Sequence, residues 1–137
     1  MTKAEILKFI NTCKDCAVAT VEGHKPHVRF FTIHKADENG IFLQTWILKD
    51  IYKQIEKNPE AELCFANFKG IQIRVSGKLE LVDDMALKQE VVAERKFMKP
   101  VVDEKGWGVV AMYRLKNGKA VVWTHEVNFA PKTYIEL

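Results

Sequence analysis

Most links between the β-type runs of this chain are too short to carry it across a sheet, and this limits its fold more than any other feature. Parallel neighbours need a crossover of about a dozen residues or more, whereas antiparallel ones are joined by tight turns. Glu22–Pro26 breaks one long run in two, Asp37–Gly40 turns the chain again before the strand at 41–45, and Phe68-Lys69-Gly70 separates Glu62–Asn67 from Ile71–Leu81. Asn117-Gly118, between two alternating runs, is the strongest local signal, since these residues accept the positive φ angles of a two-residue hairpin. Together the runs predict about seven strands, the longest bending at Gly77.

Three helices are predicted among them. Thr2 and Glu5 form a capping box ahead of Ile6, Leu7, Ile10 and Cys13, so a first helix spans Lys3–Lys14. Leu48, Ile51, Tyr52 and Ile55 have the spacing of a second, which Asn58-Pro59 ends. A third runs from Asp84 to Phe97; Asp83-Asp84 are its entry rather than a catalytic acid pair, and Pro100 and Gly106 mark the loop beyond it. Helices interspersed among short-linked strands favour a mainly β antiparallel barrel with helices packed around it over a doubly wound sheet. With 137 residues, 47% of them hydrophobic, residues 1–137 form a single domain with one core.

Several function classes lose support. No apolar run reaches the roughly 18 residues of a spanning helix. The N-terminal stretch MTKAEILKFINTCKDC reads as an amphipathic helix rather than a secretion signal, so a cytoplasmic protein away from membranes is expected. A net charge of +3 from scattered bases does not suggest nucleic acid. Cys13, Cys16 and Cys64 are expected to be free thiols, and the C-x-x-C of the first two reads as packing at a helix end and strand start. The four histidines have no metal-ligand spacing, and no nucleophile elbow or phosphate-binding glycine loop occurs.

What remains is a candidate anion site. Strand alternation puts Arg29, Phe31 and Ile33 on one face and Val28, Phe30, Thr32 and His34 on the other. An arginine between apolar neighbours needs a partner: a carboxylate such as Glu62 or Glu80 if it is structural, a phosphate if it is functional. Lys49 and Lys53 stand in the first turns of the second helix, whose free N–H groups also favour an anion. Gln44 and Thr45 end the strand before it, where they can meet ring heteroatoms or cap the helix. Gln72, Arg74 and Ser76 share one strand face, which taken alone is an ordinary wet face. Trp46, Trp107 and Trp123 fit a core, an interface or a stacking surface equally well.

The order and spacing of C-x-x-C-A-V-A-T-V-E-G, P-H-V-R, G-I-F-L-Q-T-x-x-x-K-D-I-Y-K-Q-I-x-x-N-P-x-A-E-L-C-F and I-R-V-S-G-K-L-E-L-V resemble the pyridoxamine 5'-phosphate oxidase-like proteins, the FMN-binding split-barrel superfamily. The resemblance implies an antiparallel split β-barrel of six to seven strands, a homodimer, and FMN in two equivalent clefts at its interface. By matching position, Arg29 would meet the FMN phosphate with Lys49 beside it. The stretch Phe30, Phe31, Thr32 and His34 would lie along the flavin ring, and Gln44, Thr45 and Gln72 would contact it. Leu48 replaces a small hydroxyl residue of the family, Asp50 and Ile51 replace the Arg-Lys of the genuine oxidases, His34 stands where those have a substrate-side lysine, and their C-terminal R-x-H is absent. The resemblance therefore implies a flavin oxidoreductase whose small-molecule substrate is not pyridoxamine phosphate, like the general-stress and nitroimidazole-resistance branches. The alternative is a non-catalytic split barrel that binds or senses flavin or haem.

Overall fold

The computed structural model describes residues 1–137 as nine strands and four α-helices. In order they are α1 (Lys3–Thr12), β1 (Asp15–Glu22), β2 (Lys25–Thr32), β3 (Lys35–Asp37), β4 (Gly40–Trp46), α2 (Asp50–Lys57), β5 (Glu60–Ala66), β6 (Gln72–Leu81), α3 (Met85–Glu94), α4 (Lys99–Lys105), β7 (Val110–Leu115), β8 (Lys119–Trp123) and β9 (Tyr134–Glu136). Every strand pairing is antiparallel, along the path β2-β1-β5-β6-β7-β4-β3, with β8 on β6 and β9 on β8. β2 leads through Ile33 and His34 into β3, the Ile33 N–H donating to Lys14 O and the His34 N–H to Phe42 O. The two ends of the path are thus successive pieces of one stretch of chain, and the sheet curls into a split barrel.

The Asn117-Gly118 hairpin is not formed, because β7 and β8 do not pair with each other. Leu115 stands opposite Leu79 and Lys119 opposite Ser76, so four steps along one side of the ladder match three along β6. β7 and β8 form one long strand interrupted by a bulge, with Asn117 at φ 56° supplying the extra residue. Gly77 lies where β6 exchanges β8 for β7 as its neighbour. Leu115, 1% exposed, fills the space left by the missing side chain at Gly118, where an added Cβ would come within 2.6 Å of both Leu115 Cδ2 and Val75 Cγ1. Gly118→Ala is therefore expected to destabilise the fold by about 1–3 kcal/mol, read as a lower midpoint in urea at unchanged slope.

The helices differ from expectation in one place. α1 begins with the anticipated capping box, Thr2 Oγ1 accepting from the Glu5 N–H at 3.2 Å and Glu5 Oε2 from the Thr2 N–H at 2.6 Å. Asp84 caps α3 by accepting from the Leu87 N–H at 3.1 Å. The segment expected to be a loop around Pro100 is instead α4, because Pro100 falls in its first turn, where a missing N–H costs nothing. The chain breaks only at Gly106, whose φ of 88° ends the helix.

Buried apolar residues form two clusters. Ile6 and Ile10 of α1 and Ile51 and Ile55 of α2 pack with Val18, Leu63, Phe65, Ile73 and Tyr113 of the barrel. Leu87, Val91, Val92, Met98 and Val102 cover Phe42, Val110 and Met112. β4 is thus sandwiched, Ile41 and Leu43 reaching the first cluster and Phe42 the second, which explains its unbroken apolar run. No helix is long and apolar enough to cross a membrane.

Candidate functional site

A cleft of about 1280 Å³ opens between β2, the end of β4, the entry of α2 and the ends of β5, β6 and β8. Arg29, Phe30, Phe31, Thr32, Gln44, Thr45, Lys49 and Gln72 all line it. The Arg29 guanidinium is held by neutral groups: Nη1 donates to Thr20 Oγ1 at 2.7 Å and Nη2 to Gln54 Oε1 at 2.6 Å. The Thr20 hydroxyl donates to the same Gln54 oxygen at 2.8 Å, and Gln54 Nε2 donates to Glu22 at 3.3 Å. Neither carboxylate suggested as a structural partner serves it, since Glu62 pairs with Arg74 and Glu80 with Arg114. Burial lowers the pKa of the guanidinium while nearby Asp50 raises it, and an arginine remains charged through shifts of this kind.

Lys49 is the N-cap residue of α2, and its exposed ammonium, which cannot accept a capping bond and forms no ion pair, stands beside the first free N–H groups of the helix. Asp50 also lines the cleft and puts one negative charge next to these two bases. Gln44 and Thr45 are 8% and 6% exposed, and Gln44 Oε1 and Thr45 Oγ1 have no hydrogen-bond partner in the protein. Buried polar atoms left in this condition cost about 1–3 kcal/mol each, a cost that a ligand bearing complementary groups would offset.

The opposite wall carries Cys64, Phe68, Ile71, Gln72 and Trp123, with the Cys64 thiol 3.7 Å from Gln72 Oε1 as donor. Burial raises the Cys64 pKa, and burial with neighbouring Asp15 pushes Cys16 up to about 12, so both remain thiols at neutral pH. All three cysteines are free. No cluster of His, Cys, Asp and Glu could hold a metal ion. Trp46 and Trp123 line the cleft, whereas Trp107 packs on the second cluster.

His34 does not join the others. It is 6% exposed, and its ring lies between two carboxylates of α3, Nε2 2.8 Å from Glu90 Oε1 and Nδ1 2.7 Å from Glu94 Oε2. The second contact is close but too bent for a hydrogen bond. The alternation that placed His34 beside Phe30 and Thr32 fails because the chain bends between β2 and β3, burying Ile33 and His34 alike. His34 therefore clamps α3 to the barrel instead of lining the cleft.

Sequence reasoning missed Thr20 and Gln54, although each is a polar residue in an apolar pattern: Thr20 alternates with Cys16 and Val18, and Gln54 sits within the stripe Ile51–Ile55. It also missed Arg95, Phe97 and Met98, which form the third wall between α3 and α4 and which no local pattern marks.

These residues suit a flavin mononucleotide. Phe30, Phe31, Trp46, Leu48, Ile71 and Trp123 supply apolar walls for a planar ring, Gln44 and Thr45 supply unpaired polar atoms, and Arg29 and Lys49 supply charge for a phosphate. None of the four histidines lines the cleft.

The fold has close counterparts among solved structures. A NimC/NimA family protein from Clostridium acetobutylicum superposes with a TM-score of 0.78 at 24% identity, covering 98% of this chain and 92% of that one. General Stress Protein 26 from Bacillus anthracis gives 0.71 at 17% identity over 100% of both chains. A FAD-binding protein from Mesorhizobium loti gives 0.63 at 11% identity, over 88% of this chain and 94% of that one. No curated protein sequence matches. Residues 2–123 match the family model described as pyridoxamine 5'-phosphate oxidase, and with that match over most of its length the chain belongs to this family.

Proposed function

We propose that the protein binds FMN in this cleft and acts as an oxidoreductase on a small molecule other than pyridoxamine phosphate. The observation that carries the reading is the Arg29 site: a half-buried, permanently charged fork held by neutral groups, a hydroxyl, an amide and a backbone carbonyl, with Lys49 and the α2 entry beside it. No carboxylate bonds this fork directly, and the single nearby carboxylate, Asp50, leaves Arg29 and Lys49 with a net positive charge that a phosphate would balance. Arg29 and Lys49 would hold the phosphate, Gln44 and Thr45 would orient the ring edge, and the aromatic walls would keep water from its faces. The bound flavin supplies the redox chemistry, and the chain contributes position and electrostatics.

The protein is further proposed to act as a homodimer. Phe30 and Phe68 are 80% and 91% exposed on the cleft, and Val28 is 71% exposed on the same strand as Phe30. Apolar side chains clustered this way are ordinarily covered by a partner. The test is the visible spectrum of the purified protein, with FMN added if it is colourless, together with light scattering. Two flavin bands that stay with the protein on gel filtration, and the mass of two chains, are expected. A protein that remains colourless after incubation with FMN would overturn the flavin reading.

A further inference from the structure

The cleft contains a second cationic point for which the phosphate reading has no use. Arg95, the residue at which α3 ends, lines the third wall. Its Nη1 donates to Thr32 O at 3.1 Å, which anchors the side chain to the end of β2. Its guanidinium lies over the ring of Phe97, 5.6 Å from the centroid. No carboxylate pairs with it, although Glu90 and Glu94 stand in the preceding turns of α3. Those two face His34, and Glu94 is also 3.7 Å from Lys14.

The geometry of the anchored side chain decides what it can bind. With one Nη1 hydrogen committed to Thr32, the Nε–H and the adjacent Nη2–H remain, parallel along one edge of the guanidinium, and match the two oxygens of a carboxylate. Arg29 Nη1 lies 3.5 Å from His27 O and Arg95 Nη1 3.1 Å from Thr32 O, carbonyls five residues and about 17 Å apart along β2, so one phosphate does not serve both arginines. Phe97, 68% exposed, and Met98 continue the wall beside this edge as an apolar surface.

We propose that Arg95 is the substrate-binding residue of the cleft, and that the substrate is a small carboxylate with an apolar or aromatic body. Its role as a redox substrate rests on the flavin reading above; the anion site itself does not. Arg95 receives the carboxylate along its Nε–Nη2 edge, Phe97 and Met98 receive the body, and Arg29 with Lys49 remains free for the cofactor.

Benzoate and its uncharged isostere benzamide test this directly, with Trp46 and Trp123 on the cleft as fluorescent reporters and excitation beyond the absorption of either probe. Titrations are run with and without saturating FMN, and flavin difference spectra are recorded in the first case. Saturable binding of benzoate, at least tenfold tighter than benzamide, is expected in the presence of FMN. Arg95→Gln should erase that discrimination, because its amide can still donate to Thr32 O while the charge and the fork are lost. Arg95→Lys, which keeps the charge alone, should fall between. Benzamide binding as well as benzoate, or an Arg95→Gln protein that binds benzoate undiminished, would overturn the proposal. So would an FMN-loaded protein that does not respond to benzoate. Should FMN itself fail to bind while benzoate discrimination persists, the flavin reading falls and the anion site stands. Benzoate against benzamide in the unaltered protein is decisive even if a variant does not fold.

Discussion

Arg29→Ala is expected to weaken FMN binding about a hundredfold or more, since a two-pronged charge-assisted contact contributes roughly 1.5–3 kcal/mol per hydrogen bond. The fold should survive the change. When the guanidinium is removed, the Thr20 hydroxyl still donates to Gln54 Oε1, so neither buried group is left without a partner. Lys49→Ala should cost less, because Lys49 is exposed and flexible, whereas the Arg29 fork is held in place by Thr20 and Gln54. Riboflavin, which lacks the phosphate, is the control: Arg29→Ala should leave its weaker binding nearly unchanged. Flavin-fluorescence titration of both variants with both ligands measures this. Undiminished FMN binding by Arg29→Ala would mean that the Thr20–Gln54–Arg29 network is purely structural.

The second large effect is expected at His34. Replacing it with leucine removes the imidazole that faces Glu90 and Glu94 and so loosens α3 against the barrel. Both carboxylates are about half exposed, and water recovers much of their solvation, so the loss is set at about 2 kcal/mol rather than the larger cost of a fully buried pair. For a domain of this size that corresponds to a fall in Tm of about 6 °C. Because Arg95, Phe97 and Met98 follow directly after α3, the same variant should also weaken ligand binding in the cleft. Thermal unfolding reads the first effect, and benzoate titration of the FMN-loaded protein reads the second. A His34→Leu protein with unchanged Tm and unchanged benzoate affinity would show that α3 is held by its apolar face alone, through Leu87, Val91 and Val92.

Features governed by neighbours in the chain were legible from the residues. The capping box at Thr2, the entry at Asp84, the close of β4 before α2 and the inward face of Arg29 each depend on a few consecutive side chains, and each lies where the spacing puts it. Asn117-Gly118 shows where this kind of reading stops. The pair specifies a backbone turn with positive φ, but whether that turn closes a hairpin or forms a bulge depends on which strand lies alongside, and here β6 does. Pro100 is similar, because a proline that ends one helix looks in sequence like a proline that starts another.

The sequence by itself determined an antiparallel barrel with Arg29 on its inward face, because short links and strand alternation are properties of contiguous residues, and the split form and the residues along one side of the cleft followed from the order and spacing of the family's motifs. Only the tertiary structure decided what faces what across the gap. It placed Gln54 of α2 under Arg29 of β2, removed His34 from the cleft by bending the chain between β2 and β3, and brought Arg95 from the far end of α3 to the carbonyl of Thr32. These contacts join residues 25, 56 and 63 positions apart. They are set by how the helices dock on the closed sheet, and no local periodicity encodes that.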